Sequence, residues 1–361
     1  MDKVFFEKVN LLKALAIILV VSGHLEFSLF GMFPPYSFQL ALFFFISGML
    51  FKEKYLDNVA DYFTKRVKSL LVPYFLYEAV YLGITLIVAK FGGNFLGDTP
   101  SLISFFLTPF INGHQLLLCA PLWFVPQLFL TLIVFLYLMR TLRNVPDKYW
   151  KLALFSLMGF GAIPFFKYAG NTTITLMIMK LMFSLFFVYL GYYFVKYVKD
   201  NHNIFTPKWL GAILLFQSYL WLFNRDYDPV HGIGLSYVIV WGRFDDQIIV
   251  PIFTALTGIW ISLYFVEVFY SYLKDVKLLK DIGNCTYHIM ANHTFVMYCI
   301  TMILCAIHGV EMDLGNSDKI YAIYNPVQTT YMYFVLTMLI TTYIGLGLKF
   351  ANKKLFGFLQ K

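Results

Sequence analysis

Residues 9–29 read VNLLKALAIILVVSGHLEFSL. Within them only Lys13, His24 and Glu26 can carry charge, and the rest are almost all apolar or small. A helix of about 20 apolar residues crosses a bilayer, so this stretch reads as a membrane span. It is longer than the apolar core of a signal peptide and has no clear small-residue cleavage site, which makes it a retained first span and not a leader.

Working outward, comparable segments recur at 36–51, 70–90, 121–140, 151–167, 173–197, 208–224, 248–270, 285–308 and 328–350. The expectation is an all-α, polytopic integral membrane protein of about ten transmembrane helices, forming one domain over residues 1–361. Bulk composition agrees. Hydrophobic residues make up 60% and charged residues 13% of the 361, whereas soluble domains run to about a quarter charged. No internal repeat and no low-complexity tract interrupts the pattern.

The net charge of +8 does not mark a nucleic-acid partner, because the basic residues sit between apolar spans and form no single patch. They read instead as a topology signal. With the N-terminus inside, inner connections hold Lys52, Lys54, Lys65, Arg66 and Lys68; Arg140, Arg143, Lys148 and Lys151; Lys196, Lys199 and Lys208; and Lys274, Lys277 and Lys280. Lys349, Lys353, Lys354 and Lys361 close the chain, while the outer side holds only Lys90, Lys167, Arg225, Arg243 and Lys319. Both termini are therefore expected in the cytoplasm, with the chain in a cell (inner or plasma) membrane. Cys119, Cys285, Cys299 and Cys305 form no CxxC pair and read as small core hydrophobes; no metal site is expected.

Two outer connections are long. Residues 91–120 include an apolar piece at 101–111 that suits a re-entrant or interfacial helix. Residues 225–247 carry Arg225, Asp226, Asp228, His231, Arg243, Asp245 and Asp246, and read either as a roof over a cavity or as a solvated connector.

Ionisable side chains inside spans are costly and usually line a functional cavity. Those in or beside spans are Lys13, His24, Glu26, Glu78, Lys180, Glu267, His288 and His293. Lys13 and His24 are separated by 11 positions, or about 1100°, which is three turns plus roughly 20°. They share one helix face about 16 Å apart. An imidazole exchanges a proton near neutral pH and suits a general base; a lysine at the inner end suits an anionic ligand. The alternative is a snorkelling lysine and a histidine that ties helices together. Glu78 is a candidate to orient a histidine or to bond between helices. Lys180 reads equally as half of a structural ion pair or as a site residue, and His288 as interfacial. The segment Phe43-Phe44-Phe45-Ile46-Ser47-Gly48-Met49 offers a glycine for close helix approach. The run Lys65-Arg66-Val67-Lys68-Ser69-Leu70-Leu71-Val72-Pro73-Tyr74 offers a basic cluster, either for phosphates or as an anchor.

In this order the segments resemble acyltransferase family 3, the membrane O-acyltransferases that modify glycans. The resemblance rests on Lys13 to His24, Phe43 to Gly48, Lys65 to Tyr74, Pro121-Leu122-Trp123-Phe124, and Ile282-Gly283-Asn284-Cys285-Thr286 leading to His293. It spans about 5–350. The Lys-Arg…Leu-Leu-x-Pro-Tyr and Gly-Asn-x-Thr wording is most similar to the fucose 4-O-acetylase-like branch. Two positions depart from the family pattern: Lys13 stands where arginine is usual, and Ser69 stands where an arginine usually lies four residues before the proline. The first keeps the charge but loses the bidentate fork.

The resemblance implies acetyl transfer from cytoplasmic acetyl-CoA to a hydroxyl of a cell-surface polysaccharide or its lipid-linked precursor, in a bacterial membrane. His24 is then the general base or an acylated intermediate, with Glu78 and His293 as further catalytic residues. Lys13, Ser47, Lys65, Arg66 and Lys68 would meet the donor; Trp123, Arg243 and Asp245 would meet the glycan. A transporter or flippase of lipid-linked sugars is the main rival. It explains the spans and buried charges, but not the ordered motifs, and the repeat signal of many transporters is missing.

Overall fold

The computed structural model describes residues 2–91, 96–97, 99–111, 113, 116–200, 202–223, 235–244, 248–310 and 323–359. The candidate site residue Asp245 lies outside these, as do Arg225, Asp226, Asp228, His231, Asp246 and Lys319. Among the described residues the chain is all-helical, with only isolated bridges outside helices. The helices are α1 (Lys3–His24), α2 (Gln39–Met49), α3 (Val59–Arg66), α4 (Val72–Lys90), α5 (Leu102–Ile111) and α6 (Phe124–Thr141). Then follow α7 (Leu152–Ala169), α8 (Thr173–Tyr193), α9 (Pro207–Phe223), α10 (Val250–Leu273), α11 (Lys277–His308) and α12 (Pro326–Leu359).

Seven described helical stretches are long and apolar enough to cross a membrane: Val59–Lys90, Leu117–Thr141, Lys148–Ala169, Thr173–Val198, Val250–Leu273, Lys277–His308 and Pro326–Ala351. The three other expected spans fall short for separate reasons. α1 has 22 residues, but Lys3, Glu7, Lys8 and Lys13 crowd its first half. There Lys8 Nζ pairs with Glu267 at 2.7 Å, and Glu7 accepts a hydrogen bond from the Tyr270 hydroxyl. α2 has 11 residues, about 16 Å of helix against a core of about 30 Å. α9 has 17 residues and ends against residues that are not described. The apolar piece at 101–111 forms the short, largely exposed α5.

α1 packs against α2, α10, α11 and α12. α1 and α11 run parallel. Near their starts, Asn10 Nδ2 donates to the Lys280 carbonyl at 3.0 Å, and near the far end His24 meets His293. Ala14, Ile17 and Val21 pack with Ile282, Ile289 and Val296 in one apolar cluster that includes Tyr333 and Met338 of α12. A larger, phenylalanine-rich cluster fills the space between α1, α2, α6, α7, α8 and α10.

Two glycine contacts fix the helix spacing. A Cβ on Gly48 of α2 would lie 1.9 Å from the Val188 carbonyl oxygen, and one on Gly191 of α8 would lie 1.9 Å from that of Phe45. Only paired glycines let these backbones touch. Similarly, a Cβ on Gly283 would lie 2.3 Å from the Asn10 carbonyl oxygen, so the Gly-Asn motif seats α11 on α1. Pro73 starts α4 without a backbone donor, and the turn before it, Val67–Leu71, is π-helical. A missing N–H and an inserted residue are familiar causes of such widened turns.

The basic connections gather at one end of the bundle. Lys196 pairs with Glu53 at 2.6 Å, Arg143 with Asp57 at 2.7 Å, and Lys199 lies 5.9 Å from the Phe5 ring near the start of α1. His24 and Tyr36 lie at the opposite end of α1. The four cysteines are free thiols, and three of them are buried.

Candidate active site

α1 ends at His24, and the chain then turns back over it. Tyr36 adopts a left-handed backbone conformation (φ 60°) that L-residues rarely hold. That turn aims its hydroxyl at His24 Nδ1, 3.2 Å away, with the rings edge to face (centroids 5.7 Å, 87°). On the other side stands His293 of α11, with ring centroids 4.9 Å apart and planes inclined by 47°. His293 has no exposed surface. Its Nδ1 lies 2.9 Å from the Ile289 carbonyl oxygen. A carbonyl only accepts, so Nδ1 carries the proton and neutral His293 keeps a lone pair on Nε2. That Nε2 is buried without a hydrogen-bond partner. Buried polar atoms are usually satisfied, so an orphaned acceptor beside a second imidazole marks a place for chemistry.

The Tyr36 turn is clamped from above. Ser236 Oγ donates to the Pro35 carbonyl at 2.5 Å, and Tyr237 N donates to the Tyr36 carbonyl at 3.0 Å. Tyr237 is buried against Phe183 and Phe244. Residues 235–244 are thus a packed roof over the His24 turn and not a solvated connector. Within the roof, Val238 and Arg243 exchange backbone hydrogen bonds at 3.0 and 3.1 Å, with Gly242 at φ 64° in the turn.

The expected site residues divide into two sets. His24 and His293 come together, although 269 positions part them. Lys13 is half-buried on α1 facing α11, beside Cys285, three turns before His24. Trp123 stands just before α6, next to Gly113, which also touches Val240 of the roof. A Cβ on Gly113 would lie 3.3 Å from Trp123 Cβ and 3.4 Å from Val240 Cγ2. Arg243 stacks on Trp241, with its guanidinium 4.9 Å from the ring centroid.

Others go elsewhere. Glu78 is not drawn to His24. Buried on α4, it accepts from the Cys119 thiol at 3.4 Å and lies beside Tyr74, one turn before it on the same helix. Of the two expectations for Glu78, orienting a histidine or bonding between helices, the described contact is of the second kind, to the segment before α6. Ser47 turns its hydroxyl onto its own helix, donating to the Phe43 carbonyl at 2.9 Å. Lys65 is exposed and paired with Asp61 at 2.7 Å; Arg66 lies 4.7 Å from the Tyr62 ring centroid; Lys68 is exposed. Arg66 Nε is buried without a hydrogen-bond partner. His288, expected at an interface, accepts or donates at Nδ1 with the Tyr77 hydroxyl at 2.8 Å, and Tyr77 and Tyr81 both bond Asn292. Lys180 is buried, one turn before the Ser184–Thr131–Gln127 hydrogen-bond cluster between α8 and α6.

Tyr36 is the neighbour of the candidate site that sequence pattern misses. A lone tyrosine after two prolines carries no chemical signature, and only its left-handed backbone and its distance to His24 mark it. A cavity of about 260 Å³ does occur, at the basic end among Lys54, Arg143, Lys151, Glu53 and Asp57. Neither of the paired histidines lines it, so the candidate site is the histidine pair.

Among the described residues the chain is a helical bundle with seven helices apolar enough to cross a membrane, and the half-buried His24 and the buried His293 meet inside it as a candidate site. The acyltransferase domain profile of acyltransferase family 3 matches residues 6–348, nearly the whole chain, and the protein belongs to that family of membrane acyltransferases. No curated protein and no solved structure matches it with significance.

Proposed function

We propose that this acyltransferase moves an acetyl group from cytoplasmic acetyl-CoA to a hydroxyl of a cell-surface polysaccharide or its lipid-linked sugar precursor, as the fucose 4-O-acetylase-like wording of its motifs suggests. The observation that carries the reading is His24, held on one side by Tyr36 and set on the other against the ring of His293, whose Nε2 has no hydrogen-bond partner. On this reading the chain crosses a bacterial cell membrane ten times. α1, α2 and α9 complete the seven long spans, and both termini and the basic end lie in the cytoplasm. Parallel α1 and α11 support that count, because a first and a ninth span must run in the same direction.

The chemistry follows from the two rings. With its proton on Nδ1, donated to the Tyr36 oxygen, His24 presents a lone pair at Nε2. The acceptor hydroxyl gives its proton to that nitrogen as its oxygen attacks the thioester carbonyl. The carbon–sulfur bond breaks, the sulfur leaves as thiolate, and the proton on His24 neutralises it. The imidazolium formed in between is flanked by the Tyr36 oxygen and the His293 lone pair. Both stabilise positive charge in a site of low dielectric. Lys13, about 16 Å back along the same face, stands toward the cytoplasmic end, where an anionic donor arrives.

The test uses purified protein in nanodiscs with radiolabelled acetyl-CoA, and NMR of the cell's glycan with and without the protein. His24→Ala is expected to abolish acetyl incorporation at unchanged protein level. Near-normal incorporation by that variant would end the assignment.

A further inference from the structure

A second lysine, on α12, stands near the level of Lys13. Gly345 of α12 packs against α11 so closely that a Cβ there would lie 2.9 Å from Cys285 Cβ and 3.1 Å from His288 Cβ. One turn later Lys349 reaches across and donates to the Asn284 carbonyl at 2.6 Å. Lys349 is the cation that acts electrostatically on Lys13, and Cys285 lies within the field of both ammonium groups. Lys13 follows Asn10 by three residues on α1, the Asn10 carbonyl packs on Gly283, and Lys349 bonds the next residue, Asn284, so α1, α11 and α12 bring two positive charges to one seam on the donor-side half of α1.

Neither charge meets a carboxylate among the described residues. Elsewhere in the described chain, lysines and arginines near the same end find carboxylates: Lys8 with Glu267, Lys65 with Asp61, Arg143 with Asp57, Lys196 with Glu53. Among the described residues, Lys13 and Lys349 have no such partner. Asp281 is the acid whose field also reaches Cys285, and it forms an ion pair with neither. Lys13 is half-buried and Lys349 exposed; like charges on neighbouring helices repel, and an anion that touches both relieves that repulsion. Lysine offers a compact, strongly hydrated point charge with three donors, suited to phosphoryl oxygens.

We infer that Lys13 and Lys349 form a phosphoryl-anion site between α1, α11 and α12, and that it takes the diphosphate of the acyl donor. The site itself rests on the lysine pair; the identity of its ligand rests on the acetyl-CoA reading above. The same phosphoryl chemistry occurs in anionic phospholipid headgroups, and the experiment separates the two sources.

Wild type and Lys349→Gln, in nanodiscs of neutral lipid, are titrated calorimetrically with inorganic diphosphate, CoA and 3′-dephospho-CoA. The expected result is that Lys349→Gln weakens all three by about tenfold or more, that Lys349→Arg restores most of the affinity, and that thermal stability is unchanged. Dephospho-CoA retaining its dependence on Lys349 assigns the diphosphate and not the 3′-phosphate. If anionic lipid in the nanodisc displaces diphosphate and CoA does not bind, the phosphoryl site stands with a lipid headgroup as its ligand and the donor assignment falls. If wild type binds CoA and transfers acetyl, but Lys349→Gln binds CoA as tightly, this inference falls while the acyl-transfer reading survives. Lys349-dependent diphosphate binding without any acetyl transfer does the reverse: the anion site stands and the acyl-transfer reading falls. Failure of wild type to bind any of these anions overturns the site.

Discussion

Replacing Tyr36 by phenylalanine removes one oxygen and leaves the rest of the turn in place. The ring keeps its edge-to-face contact with His24, and the Tyr36 carbonyl still accepts from Tyr237 N. What disappears is the partner of Nδ1 at 3.2 Å. In the proposed mechanism that oxygen accepts from Nδ1 before reaction, which leaves the lone pair on Nε2. During reaction it accepts from an imidazolium, and a hydrogen bond to a charged group contributes about 1.5–3 kcal/mol. At about 1.4 kcal/mol per tenfold in rate, kcat is expected to fall roughly 10- to 150-fold. The KM values for donor and acceptor should hardly move, because the bond serves the charge that develops on His24. The assay is steady-state acetyl transfer in nanodiscs with both substrates varied, alongside thermal unfolding of the same preparation. A kcat within about twofold of wild type, or a loss confined to KM, would refute the positioning role.

Other consequences follow from the same packing. His293→Leu keeps much of the buried volume but removes the orphaned Nε2; a loss of at least about tenfold in kcat with intact membrane expression is expected, and full activity would reduce His293 to packing. Gly191→Ala places a methyl 1.9 Å from the Phe45 carbonyl oxygen, so α2 and α8 must part; a destabilisation of about 3 kcal/mol or more should appear in thermal melts, and an unshifted melt would mean that the two backbones do not cross in contact. Lys65→Ala with Arg66→Ala is expected to raise the donor concentration needed for half-maximal rate. The effect should be only a few-fold, since Lys65 is exposed and already paired with Asp61. An unchanged donor dependence would leave both residues as membrane-surface anchors.

The routes by which residues reach or miss the site show what pattern carries. Lys13 and His24 can be matched from sequence because both lie on one helix, where 3.6 residues per turn fixes direction without any neighbour. Gly48 is readable as a close-approach residue, but its counterpart Gly191 is not, since nothing local says which helices cross. Glu78 shows the limit. A buried carboxylate in a span is a fair candidate to orient a histidine, yet the rotation of α4 turns it to Cys119. Ser47 has two uses open to it, and the carbonyl four residues back on its own helix takes its hydroxyl. Three spans expected from apolar runs are short or charge-bearing, because hydropathy averages over residues that the fold treats separately: the first turns of α1 are polar and tied to α10, and the apolar run at 36–51 is helical only from Gln39 to Met49.

What this sequence determines alone is therefore what depends on single segments. That includes the long apolar helices, the alternation of basic connections between them, the shared face of Lys13 and His24, and the ordered motifs that place the chain in its family. The tertiary structure alone decides which groups meet: Tyr36 through a left-handed turn, His293 from a helix 269 positions away, the 235–244 roof, and Lys349 beside Lys13. The reason is physical. Secondary structure in a bilayer is set residue by residue through the cost of an unsatisfied backbone. The meeting of side chains from distant helices is set by how closely and at what rotation those helices pack, and here glycines at Gly48, Gly191 and Gly283 control that packing.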